Sequence, residues 1–588
     1  MEKGVFSKLP VRVVEASAYF IEKDFKLLKR LLNKIDADVL EKISRDKALD
    51  IFYYAAKNVP AYKEFLKRNK VNIDKINSMD DFDSEVPIST KENYIKKYSY
   101  ESRCLFGKFP EHGNIDESSG SSGKPTEWIR SKDEEERLRQ AARFEYFYSF
   151  KPEKKKYILI GAWSMGAWAT GVKFAELVED FALIKSTGPD IGNILDTIKI
   201  FGNKYSYLIA GYPPFLKTLV DEGSKRLDWK KYNIDLVTGG EGFVEGWRDY
   251  MKKKLSNPII ISSYGSSDID IAVAFETPLS IYIRRRCNKD KKLRKALFGS
   301  AERLPMVFQY DPTQHYIKNT TNKVNGKNVS EFHVTLLDKK IVSPKVKYNI
   351  HDEGGVLKFN DVVNILETCD KDFFKKFGDE EDILRLPLVY VYGRSDGTVS
   401  VDGANVYPDQ IDMCIKSDKK LSEITNSFKI EVKQDIERNI EFRLIFELAE
   451  NVKNNPGIKK KYHDVIVKKL CEINRDFKES YSKNKKVIDP IVEVYDFGRG
   501  VFSKDKEKIK NKYIIKKKDV LNYALIGFLV SIFGYFGITN NLTGASVYSG
   551  FEITSLNLFN ILLSTIGIFT LIIGFVYYSR MRKMKLIG

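Results

Sequence analysis

Cysteine is scarce in this sequence, and its spacing fits no common metal or disulfide module. Among 588 residues the five cysteines stand apart at positions 104, 287, 369, 414 and 471, without a C-x-x-C pair. This pattern excludes a cysteine-based zinc module of standard spacing and a dense disulfide framework. The five histidines have no ligand-like spacing, and no apolar signal segment opens the sequence. We therefore expect the soluble part to lie in a reducing, cytosolic compartment.

The positive charge is unevenly distributed along the chain. The net charge is +18, yet residues 504–518 carry eight lysines against two acidic residues, and residues 580–585 carry four basic residues. The rest of the chain has only a mild basic excess, so we expect no nucleic-acid partner. The 43% hydrophobic and 13% aromatic content excludes a disordered or fibrous chain, and the length predicts two to four domains.

Two long uncharged runs lie between these basic segments, at 520–538 and 556–578. Each approaches or exceeds the roughly 20 apolar residues that a helix needs to cross a bilayer. The loop 539–555 contains no lysine or arginine, whereas both outer flanks are basic. The positive-inside rule then predicts a membrane hairpin within 520–588, with both chain termini and the large N-terminal part in the cytoplasm. A pair of buried core helices is the alternative.

The body of the chain changes its hydrophobic pattern near residue 155. Before it, residues 12–110 are mostly helical by pattern, with helix starts predicted at 80–81 and 89–90. After it, short apolar runs alternate with helical patterns, which is typical of parallel βαβ units in an α/β protein. The predicted strands are 157–162, 207–210, 235–238 and 259–262, then a meander at 332–337, 345–350 and 355–359.

A smaller α+β unit is predicted after residue 403. Its helices are expected at 408–417 and 457–474, and its strands at 427–432 and 440–447. The unit leads directly into the lysine-rich segment before the first uncharged run. The sequence therefore predicts a large N-terminal part, a small C-terminal part and a membrane segment, in that order.

A loop rich in serine and glycine precedes the first predicted strand. Residues 118–124 read Ser-Ser-Gly-Ser-Ser-Gly-Lys. Glycines permit close backbone approach, and hydroxyl groups, backbone N–H groups and Lys124 suit phosphate oxygens. The spacing is not that of a Walker A loop, because two residues rather than four separate the glycines and Pro125 follows the lysine. A flexible linker is the alternative interpretation.

This loop and the motifs after it resemble the adenylate-forming superfamily of acyl- and aryl-CoA synthetases, in its phenylacetate–CoA ligase branch. Two segments near the N-terminus, 58–62 and 87–92, resemble the helical leader of that branch. The other motifs follow in the family's order at 118–126, 239–241, 264–268, 348–352, 393–396 and 403–408. The resemblance covers roughly residues 45–515 and rests on the order of the motifs.

The resemblance implies a fold and a domain order. The fold is α/β, with a large N-terminal adenylate-forming domain of mixed sheets and helices, a small α+β C-terminal subdomain, and then two transmembrane helices. Asp396 would be the hinge of the mobile subdomain. The implied bounds are 1–115 for the helical leader, 116–394 for the core, 395–512 for the subdomain, 513–519 for a basic linker and 520–588 for the hairpin and basic tail.

The resemblance also implies a reaction in which ATP and a small carboxylic acid form an acyl-adenylate and pyrophosphate. Coenzyme A would then accept the acyl group as a thioester, with release of AMP. Asp268 would hold Mg²⁺ and act in catalysis, and Lys508 would bridge the substrate carboxylate and the α-phosphate. The residues implied in ATP binding are Ser118, Ser119, Gly120, Ser121, Ser122, Gly123, Lys124, Gly239, Gly240, Glu241, Tyr264, Gly265, Asp352 and Arg394. Among them, Tyr264 would pack on adenine and Asp352 would accept hydrogen bonds from both ribose hydroxyls.

Some residues depart from the family's pattern. Asp268 stands where the family usually has Glu, and Asp402 precedes Gly403 where many relatives have a basic or neutral residue. Two alternatives therefore stay open: an adenylating enzyme with a non-CoA acceptor (an amine, a carrier protein or a polymer unit), and a catalytically weakened ATP-binding scaffold. The arginines at 284–286 would face an acceptor's phosphates or form a solvated basic patch.

The acyl-binding pocket is expected around 163–168, 207–215 and 239–245, where aromatic residues are frequent. The expected partners are a small carboxylic acid and, through the hairpin, a lipid bilayer. The sequence leaves the identity of the acid and the oligomeric state open, a dimer included.

Overall fold

The structure of the chain is a computed structural model that describes residues 25–502, except 119–125, 167–169, 302, 325–326, 370–372, 374–376, 378–382, 396–397 and 435–439. The chain divides into two units, Met1–Ile515 and Lys516–Gly588, and the described residues all belong to the first. Asp396, Lys508, the loop residues 119–124 and the predicted hairpin lie outside the described residues. Within the described residues, no helix is both long and apolar enough to cross a bilayer.

Four helices form the first part of the described chain: α1 (Phe25–Lys34), α2 (Ala37–Asn58), α3 (Pro60–Arg68) and α4 (Met79–Glu85). Asp36 caps α2 by accepting a hydrogen bond from the Asp38 N–H. Pro60 occupies the first turn of α3, where its missing N–H costs nothing. The helical character predicted for this region is confirmed over these spans.

The two helix starts predicted in this region have different outcomes. Ser78 and Asp81 form a capping box, so α4 begins within two residues of the start predicted at 80–81. The start predicted at 89–90 is wrong. Thr90 and Asn93 each accept a hydrogen bond from the other's backbone N–H, and this local turn leads into a short 3₁₀ helix, Ile95–Lys97, in place of an α-helix.

A short hairpin follows the helical leader. Strands β1 (Gly113–Ser118) and β2 (Thr126–Ser131) pair antiparallel, with Ser118 opposite Thr126. The serine- and glycine-rich segment therefore connects adjacent ends of two paired strands. Helix α5 (Lys132–Phe150) starts immediately after β2, where Ser131 caps it by accepting from the Glu134 N–H.

A sheet of eleven strands forms the centre of the fold. Its parallel half has the spatial order β4-β3-β5-β6-β7. The strands and helices of this half are, in chain order, β3 (Tyr157–Gly161), α6 (Gly171–Val178), β4 (Leu183–Ser186), α7 (Ile191–Phe201), β5 (Ser206–Ala210), α8 (Pro213–Gly223), β6 (Asn233–Gly239), α9 (Glu245–Lys254) and β7 (Ile260–Tyr264). The four strands predicted here are confirmed within about two residues at each end.

The other half of the sheet is antiparallel and continues from β7 in the order β8-β9-β13-β12-β11-β10. Its elements are, in chain order, β8 (Ala274–Phe275), α10 (Pro278–Lys289), α11 (Lys291–Phe298), β9 (Met306–Tyr310), β10 (His315–Val324), β11 (Lys327–Leu336), β12 (Asp352–Leu357), α12 (Phe359–Cys369) and β13 (Leu388–Arg394). The mixed sheet brings the ends of β7, β12 and β13 toward one region.

The strand predicted at 345–350 is wrong. Among these residues only Tyr348 makes isolated bridges, to Ser89 and Val334. Lys347 has a positive φ of 46°, which bends the backbone out of an extended conformation. Its buried ammonium group donates to the carbonyl oxygens of Phe82 and Val86, at 3.2 and 2.6 Å, so leader contacts hold the segment together with the isolated bridges of Tyr348.

The two faces of the parallel strands bury different clusters. Ile158, Ile160, Ile209 and Leu236 belong to the large core that includes the leader helices. The alternate residues, including Leu159, Leu208, Val237 and Ile261, pack in a second cluster with Leu138, Tyr146 and Phe150 of α5. This period of two is the strand pattern, and it places α5 on the face where Val237 and Ile261 lie.

The C-terminal part of the described chain has a separate hydrophobic core. Its three-stranded sheet has the order β16-β17-β18. The elements are, in chain order, β14 (Val399–Val401), β15 (Ala404–Val406), α13 (Pro408–Lys416), α14 (Lys419–Ile424), β16 (Thr425–Gln434), β17 (Ile440–Leu448), α15 (Pro456–Ile473), α16 (Arg475–Lys483), α17 (Lys485–Ile488) and β18 (Ile491–Tyr495). The two helices and two strands predicted here are confirmed, although β16 is longer than predicted.

Candidate functional site

A cavity of about 570 Å³ opens where the parallel strands end. In open α/β sheets, ligands bind at the carboxyl ends of the strands, because the loops diverge there. The lining has a polar part and an apolar part. The polar part includes Lys91, Glu117, Ser118, Asp268, Tyr348 and Arg394, and the apolar part includes Ala142, Tyr146, Phe150, Leu159, Phe174, Leu177 and Leu208. The cavity therefore suits a ligand with one charged end and one apolar end.

Three of the predicted site residues meet at the ends of β7, β12 and β13. The Tyr264 hydroxyl donates a hydrogen bond to Asp352 Oδ2 at 2.6 Å. Arg394, which is opposite Asp352 in the strand register, has Nη1 3.8 Å from Asp352 Oδ1. Burial and the Asp352 carboxylate raise the pKa of Tyr264 well above its ordinary value, so the phenol stays a neutral donor. The Tyr264 ring stacks on Phe308 at a centroid distance of 5.6 Å.

Asp268 lies in the turn that follows β7. Its Oδ2 accepts a hydrogen bond from the Tyr348 hydroxyl at 3.0 Å, and its N–H donates to Ser266 Oγ at 3.1 Å. A Cβ on the preceding Gly265 would lie 2.4 Å from the Ile271 backbone, so no larger residue fits there. The turn is held tightly enough to keep the Asp268 carboxylate at the cavity wall.

Ser118 is the one residue of the predicted phosphate loop 118–124 that the structure describes. Its hydroxyl accepts hydrogen bonds from Trp128 Nε1 at 2.9 Å and from Lys91 Nζ at 3.3 Å. Lys91, which lies in a motif that resembles the family's leader, is thus brought to the start of the loop. The roles predicted for Ser119, Gly120, Ser121, Ser122, Gly123 and Lys124 stay predictions, because these residues lie outside the described ones.

The segment 239–241 contacts both the cavity and the C-terminal part. Gly239 and Gly240 line the cavity. The Glu241 carboxylate instead accepts a hydrogen bond from the Gly403 N–H at 2.8 Å, so the prediction that it binds ATP stays a prediction. Burial and the nearby Asp402 carboxyl raise the pKa of Glu241 to about 8, and burial raises the pKa of Asp402 to about 7.

Two glycines are required around the ring of Tyr212. Gly240 has a φ of 75° and Gly403 a φ of 81°, which only glycine adopts readily. A Cβ on Gly240 would lie 2.8 Å from the Tyr212 ring, and one on Gly403 would lie 2.2 Å from it. The motif that begins at Gly403 is therefore packed directly against the strand end that lines the cavity.

A second contact between the two parts was not predicted from the sequence. Arg475, the first residue of α16, donates to both carboxylate oxygens of Glu117, at 3.1 and 2.9 Å. Glu117 is the residue before Ser118, so the C-terminal part is tied to the start of the loop. No motif marks this pair, and 358 residues separate its members.

Some residues expected around the acyl pocket do line the apolar part of the cavity, and helix α5 adds others; the acyl-binding role itself stays a prediction. Trp163, Leu208, Tyr212 and Gly239 lie in the expected ranges and line the cavity. Tyr207 does not, because its hydroxyl donates to the Ile198 and Gly202 carbonyl oxygens in the other core. The α5 residues were missed, and the lining residues it supplies are Ala142, Glu145, Tyr146 and Phe150. The sequence signal that could have indicated this helix was Glu145, the single acid among the aromatic residues of 144–150.

The arginines at 284–286 form neither a solvated patch nor a phosphate site as a group. Arg284 is buried and pairs with Glu245, and its Nε donates to the Pro305 carbonyl oxygen at 2.9 Å. Arg285 also reaches Glu245, and Arg286 donates to the Tyr282 hydroxyl at 2.9 Å. Arg284 thus joins α9 and α10, which is a structural role.

Comparison with solved structures identifies the fold of this chain. The chain is similar to 2-hydroxyisobutyryl-CoA ligase in complex with 2-HIB-AMP and CoA in the thioesterification state, with 13% identity, a TM-score of 0.57, and coverage of 85% of this chain and 94% of that chain. An open conformation of that ligase has 13% identity and a TM-score of 0.45, with 82% and 93% covered. The amide bond synthetase McbA from Marinactinospora thermotolerans has 12% identity and a TM-score of 0.39, with 65% of each chain covered.

No family model and no curated protein matches the chain. The first likeness shows that the chain shares the fold of 2-hydroxyisobutyryl-CoA ligase. The mixed α/β fold predicted from the sequence is thereby confirmed for the part of the chain that the structure describes.

Proposed function

We propose that this chain is an ATP-dependent, AMP-forming acid–thiol ligase of the phenylacetate–CoA ligase branch. The observation that carries the proposal is one cavity that has a polar part with Asp268 and Arg394 and a separate apolar part. Arg394 in turn lies 3.8 Å from Asp352, which accepts a hydrogen bond from Tyr264. A nucleotide needs the polar part, and an acyl group needs the apolar part. The fold of the chain supports the same assignment.

The proposed reaction has two steps. A carboxylate oxygen of the substrate attacks the α-phosphorus of ATP, and the bond to the bridging oxygen breaks as pyrophosphate leaves with its electron pair. The thiol sulfur of coenzyme A, having lost its proton to solvent, then attacks the acyl carbon and expels AMP. Catalysis requires that two anions be held in line and that phosphate charge be offset.

The described residues have distinct roles in this scheme. Asp352 accepts hydrogen bonds from the ribose hydroxyls, and Arg394, 3.8 Å from that carboxylate, helps to orient it. Ser118 starts the loop that binds the β- and γ-phosphates. Mg²⁺ supplies positive charge to those phosphates when it is bound, and Asp268 is the residue that would hold it. One carboxylate fits, because Mg²⁺ is commonly held by one or two carboxylates together with phosphate oxygens, and the described residues contain no larger ligand cluster.

The C-terminal part is the mobile subdomain in this proposal. Lys508 bridges the substrate carboxylate and the α-phosphate in the first step. The subdomain then turns about Asp396 before the second step. Residues 520–588 form a transmembrane hairpin, so the enzyme is a multi-pass membrane protein with its catalytic part and both termini in the cytoplasm. The basic flanks of the uncharged runs support this orientation.

The proposed function is tested by ATP–pyrophosphate exchange with a panel of carboxylic acids, followed by AMP release with and without coenzyme A. We expect exchange with at least one apolar acid and AMP release that depends on coenzyme A. Exchange without dependence on coenzyme A would point to another acceptor. No exchange with any acid would contradict the activity altogether.

Lys508→Ala is expected to lower pyrophosphate exchange about 100-fold, because a positive charge on the reacting oxygens stabilises the transition state. The dissociation constant for ATP, measured by calorimetry, should stay within about twofold of wild type. Lys504→Ala and Lys506→Ala are the matched controls in the same basic segment. If either control abolishes exchange by itself, the assignment to Lys508 is wrong.

Removal of residues 516–588 is expected to give a soluble protein that still adenylates. The deletion follows the boundary at Ile515 and retains Lys508. We expect the protein to stay in the supernatant after ultracentrifugation, whereas the full chain sediments with membranes, and exchange to stay within about threefold of the full chain. A folded truncation without exchange would mean that the C-terminal segment takes part in the reaction.

A further inference from the structure

Glu145 is an acid inside the apolar part of the cavity. It lies on α5 between Ala142 and Tyr146, and all three residues line the cavity. The same helix contributes Tyr146 and Phe150 to the apolar cluster that contains the strand residues Val237 and Ile261. Glu145 as a whole is only 9% exposed. Burying a carboxyl group in apolar surroundings costs free energy unless hydrogen bonds or an opposite charge offset the loss of hydration.

The described residues offer this carboxyl group one hydrogen-bond partner. The Ser263 hydroxyl, near the end of β7, donates to Glu145 Oε1. Burial raises the pKa of Glu145 to about 7, and the bond from Ser263 offsets only part of this effect. A carboxylate has about four acceptor positions, so one hydroxyl leaves much of its capacity unused.

The backbone leaves room beside this pair. Gly239 is opposite Ser263 in the register of β6 and β7, so it presents no side chain on the face that Ser263 and Glu145 share. A Cβ at Gly239 would lie 2.9 Å from the Ser263 carbonyl oxygen and 3.8 Å from the Trp163 ring. Both Gly239 and Trp163 line the cavity. A ligand in the apolar part therefore passes next to Glu145 and Ser263.

We propose that Glu145 accepts a hydrogen bond from a hydroxyl group of the acyl substrate. This inference rests on the proposed function, and it narrows the substrate class to apolar acids, aryl acids among them, that carry a hydroxyl group remote from the carboxylate. A neutral hydroxyl suits the site better than an ammonium group, because a buried ion pair requires a second charge to be desolvated. Glu145 then selects substrates by the presence of this group, and Ser263 holds the Glu145 carboxyl group in place.

A site built to accept a hydrogen bond discriminates against an analogue that lacks the donor, because the buried acceptor is then left unpaired. Ser263 keeps one bond to Glu145 in either case, which limits the discrimination. We expect the hydroxylated acid to be preferred about 10- to 100-fold over its unhydroxylated counterpart in kcat/KM.

The experiment uses pairs of acids that differ by one hydroxyl group. The full-length enzyme is given phenylacetate, benzoate, 3-phenylpropionate and cyclohexanecarboxylate, each beside its ring-hydroxylated isomers, and kcat/KM is measured by pyrophosphate exchange. We expect preference for a hydroxylated member in at least one pair. Glu145→Leu should remove or reverse that preference by lowering the value for the hydroxylated acid and leaving that of its counterpart within about threefold.

The Ser263→Ala variant tests whether Glu145 recognises the substrate hydroxyl or only links α5 to β7. It removes the hydroxyl that holds Glu145 but leaves the acceptor, so we expect the preference for hydroxylated acids to persist. If Glu145→Leu and Ser263→Ala lower both members of every pair equally, Glu145 serves packing alone and the inference is overturned. Thermal melts of both variants show whether a loss reflects unfolding.

Direct binding keeps this inference distinct from the proposed function. The same pairs are titrated by calorimetry into wild type and Glu145→Leu. If exchange is absent with every acid but hydroxylated acids bind more tightly to wild type alone, the activity is wrong and the role of Glu145 stands. If neither binding nor exchange shows a preference for any hydroxylated acid, the role of Glu145 is wrong, whatever the activity.

Discussion

Asp268→Asn is expected to lower kcat/KM for acyl-adenylate formation about 1,000-fold, which corresponds to about 4 kcal/mol of transition-state stabilisation. The substitution keeps the shape of the side chain and an oxygen that accepts from the Tyr348 hydroxyl, so the turn after β7 should stay in place. It removes the negative charge that would hold a divalent cation against the phosphates. The measurement is pyrophosphate exchange as a function of Mg²⁺ concentration, in which the variant should need far more Mg²⁺ to reach its own maximum.

Two further variants isolate the charge of Asp268 from its hydrogen bond. Tyr348→Phe removes the hydroxyl that donates to Asp268 but leaves the carboxylate, and we expect a loss of less than tenfold. Asp268→Glu restores the acid that the resembling family usually has, and we expect it to retain at least a tenth of wild-type exchange. An unchanged Mg²⁺ dependence in Asp268→Asn would remove this residue from the proposed metal site.

The strands and the motif positions could be predicted from the sequence because they depend on local patterns. The apolar runs that became β3, β5, β6 and β7 are short and bounded by helical patterns, and buried parallel strands have that signature. The predicted strand at 345–350 failed for a non-local reason. Lys347 donates to carbonyl groups of the leader more than 250 residues away, and no pattern within the segment reveals those contacts.

The contacts within the site depend on the order of strands in the mixed sheet. Tyr264 and Asp352 were predicted to touch different parts of ATP, yet the structure shows that they bind each other across 88 residues, because β7 ends where β12 begins. The direction in which Glu145 points could not be predicted from the sequence either. Helical periodicity gives the faces of α5, but only its packing against Val237 and Ile261 shows that this acid faces the cavity.

Asp352→Asn is expected to lower kcat/KM for ATP about 1,000-fold, mostly through KM, because the ribose is bound in the ground state as well as in the transition state. The asparagine loses the charge that attracts Arg394, and its amide nitrogen cannot accept a hydrogen bond. AMP binding measured by calorimetry should weaken by a similar factor. Tyr264→Phe, which removes one hydroxyl and keeps the ring on Phe308, should cost only about tenfold.

Deoxynucleotides decide whether Asp352 contacts the ribose or only orders Arg394 and Tyr264. Wild type should use 2′-deoxy-ATP and 3′-deoxy-ATP at least tenfold less well than ATP, because each lacks a hydroxyl that Asp352 would bind. If Asp352 binds the ribose directly, Asp352→Asn has already weakened the hydrogen bonds to both hydroxyls. Its preference for ATP over either analogue should then fall to about twofold. The two losses are then non-additive, as interacting partners require. Full additivity, with the variant still discriminating as strongly as wild type, would place the ribose elsewhere and limit Asp352 to holding the ends of β7, β12 and β13 together.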